Sequence, residues 1–79
     1  MRFIIDGQAY SMDKVGVENL MHDVIPDPIC HYWVIMHRRR YPPNQVLEHI
    51  TRLPRVECRT VYSVTILARL GFKIHRYAK

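Results

Sequence analysis

The spacing of apolar and polar residues divides the chain into short segments, and the first of these is a β-hairpin. Arg2–Ile5 is short, apolar and rich in residues that favour strands, and Gln8–Tyr10 can return beside it. Between them, Asp6 and Gly7 form a pair that favours a tight hairpin turn, because such turns need positive φ at both positions. The pattern therefore predicts an N-terminal hairpin.

The apolar positions after the hairpin recur at helical intervals: Val17, Leu20, Met21 and Val24. Ser11 or Asp13 can cap this helix, because a short side-chain oxygen accepts a hydrogen bond from an unpaired backbone N–H. Pro26 and Pro28 should end it, since proline lacks the backbone donor and disfavours helix in the residue before it.

The segment His31–His37 predicts a strand, because aromatic and β-branched residues dominate it. Side chains alternate along a strand, so Tyr32, Val34 and Met36 should face one side and Trp33 the other. On such a strand Trp33 could act as a base-stacking platform. We expect it in the core instead, because so small a domain needs to bury its largest apolar side chain.

Two further helices and a short strand complete the chain. One helix should begin at Pro43 and stop before Pro54, with an apolar face of Val46, Leu47, Ile50 and Leu53. The next should be capped by Thr60 and end at Gly71, which accepts positive φ. Its small and apolar stripe is Ser63, Ile66, Leu67 and Leu70. Phe72–Tyr77 can form a closing strand.

These segments predict a small α+β fold in one domain covering residues 1–79. A chain of this length buries only about 60% of its unfolded surface, which excludes a doubly wound nucleotide-binding sheet or a multi-domain enzyme. The last two helices are joined by about seven irregular residues, which fits a loose helix-turn-helix variant. In such a motif the second helix enters the major groove of DNA.

Charge is unevenly distributed along the chain. Residues 1–30 carry a net charge of −3 and residues 31–79 a net charge of +8, and nine of the twelve basic residues are arginine. Arginine forms bidentate contacts with phosphates and base edges. The basic half therefore indicates double-stranded DNA as partner, with an acidic protein surface or plain solubility as the alternatives.

The candidate DNA contacts lie in three groups. Arg38, Arg39 and Arg40 form a basic turn suited to phosphates, although such charges can also simply keep a sheet edge from aggregating. The second group flanks the loop between the last two helices: Arg52, Arg55 and Arg59. Tyr62 and Arg69 fall off the buried stripe of the last helix and should be exposed, although Tyr62 could equally be a half-buried rim aromatic.

Catalytic and metal chemistry find little support in the sequence. The chain has five histidines and two cysteines, but no Cys-x₂-Cys pair, no paired carboxylates in the basic half and no glycine-rich phosphate loop. We therefore expect no enzyme activity, no cofactor and no metal. No signal sequence or membrane span is expected, which points to the cytoplasm and to reduced Cys30 and Cys58, each a candidate for burial.

The stretch YWVIMHRRRYPPNQVLEHITRLPRVECRTVYSVTILARLGFKI, residues 32–74, resembles a small actinobacterial and phage-associated domain. Similar segments form N-terminal head domains of modification-dependent HNH restriction endonucleases. The matching positions are Trp33, Arg39, Arg40, Tyr41, Pro42, Pro43, Gln45, Val46, Thr60, Leu67, Leu70, Gly71 and Phe72. Arg39 stands at or beside the usual turn glycine, and Asn44 stands where lysine is common. The resemblance implies DNA recognition by a head without its nuclease.

Two functional hypotheses follow from the sequence. The first is a small non-catalytic DNA-binding protein, either a phage-encoded regulator or a stand-alone recognition module. The second is an interaction module that modulates a host or partner protein through the acidic first 30 residues and the strand at His31–His37. Such a module could also form a homodimer through an edge strand.

Overall fold

The computed structural model describes residues 1–77, with every side chain in that range except that of Glu57. Over these residues it confirms the small α+β fold, with five strands in two sheets and three α-helices. The elements are β1 (Arg2–Ile5), β2 (Gln8–Ser11), α1 (Lys14–Leu20), β3 (Tyr32–Met36), β4 (Arg39–Tyr41), α2 (Pro43–Thr51), α3 (Thr60–Leu70) and β5 (His75–Arg76).

The predicted N-terminal hairpin is confirmed. β1 and β2 pair antiparallel, and the turn residues Asp6 and Gly7 have φ of 50° and 81°. Two consecutive positive φ values match the right-handed twist of the flanking strands. Phe3 and Ile5 point from β1 into the core.

The second sheet has the strand order β4-β3-β5, and both pairings are antiparallel. A two-residue turn, His37 and Arg38, joins β3 to β4, so the predicted basic turn is partly a strand that the sequence did not predict. β3 is the central strand, so its backbone is paired on both sides and it does not offer an edge to a partner. The strand-addition form of the interaction hypothesis therefore requires another strand.

All three helices pack on one face of this sheet. The main core cluster contains Val17, Met21, Val34, Met36, Tyr41, Val46, Leu67 and Phe72. A second cluster joins the hairpin to α2 and α3 through Phe3, Ile5, Leu47, Cys58 and Ile66. Because side chains alternate along β3, burial of Val34 and Met36 places Trp33 and Ile35 on the opposite face.

Trp33 therefore departs from the expectation that it lies in the core. It is half-buried, on the face of the sheet that no helix covers. Cys30 departs in the same way: it is exposed, whereas Cys58 is buried as expected. Side chains of β3, β4 and the three helices fill the inner face, so the indole lies outside the core cluster.

The helix boundaries follow the predicted signals with small shifts. Asp13 caps α1 by accepting a 2.7 Å hydrogen bond from the Gly16 N–H, but the helix ends at Leu20, well before Pro26. The N-cap of α3 is Arg59 rather than the predicted Thr60. Gly71 ends α3 with φ of 107°, as predicted.

The buried stripe of α3 is confirmed, with Ser63, Ile66 and Leu67 buried and Leu70 half-buried. α2 and α3 pack against each other, and the segment between them contains one 3₁₀ turn at Arg55–Glu57. Within residues 1–77 no helix is long and apolar enough to cross a membrane.

Candidate nucleic-acid interface

Arg39 has its guanidinium turned toward the end of α1. Its Nη1 atom donates hydrogen bonds of 3.3 and 3.2 Å to the carbonyls of His22 and Val24 and one of 3.2 Å to the Tyr41 hydroxyl. That hydroxyl is 2.7 Å from the Val24 carbonyl, to which it can donate. Arg39 thus stabilises the chain that leaves α1, and a phosphate would have to compete with these acceptors for its guanidinium.

Arg55 is also engaged within the protein. Its Nη2 atom lies 2.7 Å from Asp27 Oδ2 and 3.0 Å from Glu48 Oε1. The hydrogen bond to Glu48 and, to a smaller extent, the one to Asp27 raise the pKa of Arg55, so its guanidinium stays charged. The pairs are partly exposed, so solvent screens them and each is worth less than about 1 kcal/mol. A phosphate would have to compete with two carboxylates for this guanidinium.

Arg38 is placed differently. It is exposed at the tip of the β3–β4 hairpin, and among the described side chains it has no hydrogen bond or carboxylate partner. Both turn residues have positive φ, 53° at His37 and 63° at Arg38. His37 is held there, because its Nε2 atom lies 2.7 Å from the Glu18 carbonyl. Among the described residues, Arg38 has no comparable hydrogen bond.

Arg40 lies on the uncovered face of the three-stranded sheet. Its guanidinium carbon is 4.9 Å from the centre of the Trp33 ring, a cation–π contact worth about 0.5–1 kcal/mol when exposed. The His75 ring is nearly parallel to Trp33, at 5.6 Å and 9°, and the Tyr77 ring lies at 4.8 Å and 54°. We call Trp33, Ile35, Arg40, His75 and Tyr77 the open sheet face.

The two remaining arginines of the predicted set lie at the connection between α2 and α3. Arg52 ends α2 with φ of 63°, and Arg59 precedes α3; both are exposed. Thr60, next to Arg59, lines a cleft with Tyr32, at the start of β3. Arg38 follows the other end of that strand, about 13 Å away along β3. Arg38 and Arg59 therefore lie toward opposite ends of β3.

The exposed side of α3 is mostly uncharged. Tyr62 and Arg69 are exposed, as predicted, and both line a shallow cleft against Ile4 of β1. Val61 is 65% exposed and Ile4 69% exposed. Such a surface offers DNA one guanidinium and several apolar contacts.

Asn44 has a role that the sequence did not reveal. Its Nδ2 donates to Thr60 Oγ1 at 3.2 Å, and its Oδ1 accepts from Ser63 Oγ at 2.6 Å. The amide thus joins the first turn of α2 to that of α3. A lysine at this position has no acceptor atom and could not make both bonds.

Sequence reasoning also missed His75 and Tyr77 as parts of the surface around Trp33. The alternation of side chains along β3 was the signal that could have placed Trp33 on an outer surface, because any strand with Val34 and Met36 inside leaves Trp33 outside. Among the described residues, no three His, Cys, Asp or Glu side chains are grouped in a way that could hold a metal ion.

A family model described as SCO5918-like matches residues 1–79, so the chain belongs to the SCO5918-like family. No curated protein and no solved structure matches the chain. The resemblance to the head domains of HNH endonucleases is not tested by this match and stays a prediction.

Proposed function

We propose that this member of the SCO5918-like family is a small non-catalytic DNA-binding protein that contacts the phosphate backbone through Arg38 and Arg40 of the β3–β4 hairpin. In a bacterium, or in the host of a phage that encodes it, such a protein would act in the cytoplasm. It would serve as a regulator or as a stand-alone recognition module.

The exposed Arg38, with no partner among the described side chains, carries this proposal. Positive φ is energetically unfavourable for a residue other than glycine, and such positions cluster at functional sites. Asparagine and glycine are the residues that favour a two-residue hairpin turn, so Arg38 has no advantage for the backbone. Its value therefore lies in the side chain, which projects from a half of the chain with a net charge of +8.

Fluorescence anisotropy with a labelled random duplex at two salt concentrations tests the proposal. Binding at micromolar concentration or tighter that weakens steeply with salt supports it, because phosphate contacts release counterions. Absence of binding at about 50 mM salt, where such contacts are strong, overturns it.

A double substitution, Arg38→Ala with Arg40→Ala, locates the contact. Each lost phosphate contact should reduce the slope of log affinity against log salt by about 0.9, for every duplex sequence alike. Arg2→Ala with Lys73→Ala removes the same charge from other exposed positions and serves as the control. An equal change of slope in both double variants would show a general charge effect and refute the assignment of the hairpin.

The same titrations test the helix-turn-helix interpretation. If α3 enters the major groove, Tyr62→Ala or Arg69→Ala should change the preference among duplex sequences. Unchanged preferences, with binding retained, would remove α3 from the interface and leave the hairpin in place.

A protein-interaction function is the second candidate, and the apolar cleft between β1 and α3 favours it. Ile4 and Val61 are more than 60% exposed there, beside Tyr62. Exposed apolar surface with an aromatic is typical of protein contacts. Pull-downs with and without nuclease treatment separate the two functions, since only partners bridged by DNA are lost after digestion. Sedimentation of the pure protein tests the homodimer through an edge strand.

A further inference from the structure

We infer that the open sheet face is a stacking platform for unpaired nucleotides, so that the protein prefers single-stranded nucleic acid over duplex. This inference rests on the proposed nucleic-acid function and names the form of nucleic acid that the site takes. It assigns a binding role to Trp33, Tyr77 and Arg40 together.

The side chains of the open sheet face fit unpaired nucleotides. The face presents an indole with an imidazole ring at 5.6 Å, a phenol ring at 4.8 Å and a guanidinium at 4.9 Å from it. Aromatic rings bind the flat faces of bases, and arginine binds the phosphates between them. In a duplex the base faces are already covered by their neighbours, so only unpaired nucleotides offer both groups at once.

Within residues 1–77, no helix packs on this face. The helices lie on the other side of the sheet, where Val34 and Met36 are buried. Ile35 is 49% exposed and Tyr77 is 52% exposed, so apolar and aromatic side chains remain accessible on this face. Neither Arg40 nor Arg38 has a carboxylate partner among the described side chains, so the positive charge beside the rings is not neutralised.

The position of Arg40 explains how the Trp33 indole can be covered in the free protein and still be open to a base. In the free protein its guanidinium lies over the Trp33 ring. A base that stacks on the indole would displace it, and stacking on a base is the stronger of the two contacts. The displaced guanidinium is then free to pair with a phosphate, so the exchange adds a contact and loses only a weak one. Tyr77 offers a second ring for the next base.

Trp33 is the only tryptophan in the sequence, so the tryptophan fluorescence of the protein comes from this site. The full chain is titrated with dT12, with U12 and with a 12-base-pair duplex at low salt, and tryptophan emission is followed together with anisotropy of labelled strands. We expect dT12 to bind about tenfold more tightly than duplex and to quench the emission. A preference between dT12 and U12 assigns the source as DNA or RNA.

Variants decide between stacking and charge. Trp33→Leu should weaken dT12 binding about tenfold, while duplex affinity changes less than about twofold. Tyr77→Ala, at an exposed position, gives a second test if Trp33→Leu does not fold, with a smaller loss in the same direction. Arg2→Ala is the charge control for Arg40→Ala, because both remove one exposed arginine and Arg2 lies outside the predicted contacts.

The outcomes separate this inference from the proposed function. Duplex binding that depends on Arg38 and Arg40, with dT12 no tighter and emission unchanged, overturns the stacking platform alone. A hairpin that enters the major groove as a two-stranded ribbon would give that result. Absence of binding to all three probes overturns both proposals.

Discussion

The two faces of the three-stranded sheet put neighbouring residues to different uses. On the inner face Met36 is buried, and the guanidinium of Arg39 donates hydrogen bonds to two backbone carbonyls after α1. On the outer face their neighbours Ile35 and Arg40 are exposed, and Arg40 covers an indole instead of a carbonyl. The run Arg38–Arg40 thus contains one arginine that donates to backbone carbonyls and one that lies over an indole, and the alternation of the strand separates them.

The largest expected effect compares the adjacent residues of β3. Met36→Ala should lower the free energy of unfolding by about 2–4 kcal/mol, because it removes buried contacts and leaves a cavity. Ile35→Ala should cost less than about 1 kcal/mol, since that side chain is half exposed. Urea unfolding of both variants measures the difference. Equal losses would mean that something covers the outer face in solution.

A smaller effect concerns the hydroxyl that joins Tyr41 to the end of α1. Tyr41→Phe should cost about 1–2 kcal/mol, because the hydroxyl no longer donates to the Val24 or the Met21 carbonyl and Arg39 loses an acceptor. Tyr10→Phe is the control, since its hydroxyl bonds only to the exposed Gln8 side chain. Thermal or urea unfolding that ranks the control as the more damaging change would contradict the inner-face assignment.

The smallest difference is between the two arginines themselves. Arg39→Ala should cost about 1 kcal/mol, discounted from buried charged hydrogen bonds because the side chain is exposed. Arg40→Ala should cost about half as much, the value of an exposed cation–π contact. Binding should show the reverse order, with Arg40→Ala the more harmful. Unfolding curves and dT12 titrations of the same two proteins test whether stability and binding are indeed divided between the faces.

Local chemistry predicted much of the framework. Asp6 and Gly7 specify a turn by their tolerance of positive φ, whatever packs around them. Pro43 and Gly71 mark a helix start and a helix end for reasons that lie within one or two residues. The exposure of Tyr62 and Arg69 followed from the same periodicity that buries Ser63 and Leu67.

Local chemistry failed where distant segments compete for the same group. The sequence predicted Arg38, Arg39 and Arg40 together as phosphate contacts, because nothing along the chain shows which of the three guanidinium groups is engaged within the protein. The carbonyls that engage Arg39 lie 15 and 17 residues away, and the acids that engage Arg55 are 7 and 28 residues away. Burial was predicted for Trp33 from its size, but other side chains fill the inner face.

The sequence by itself therefore determined most of the elements and their order, with β4 as the exception, and the two faces of each predicted strand and helix, since periodicity and turn chemistry act over a few residues. Only the tertiary structure decided which face of β3 meets the helices, and hence that Trp33 and Arg40 are on the outside. The same alternation is satisfied by a strand with either side inward. Burial of Val34 and Met36 against α1, α2 and α3 makes the choice, through contacts between segments that the local pattern does not encode.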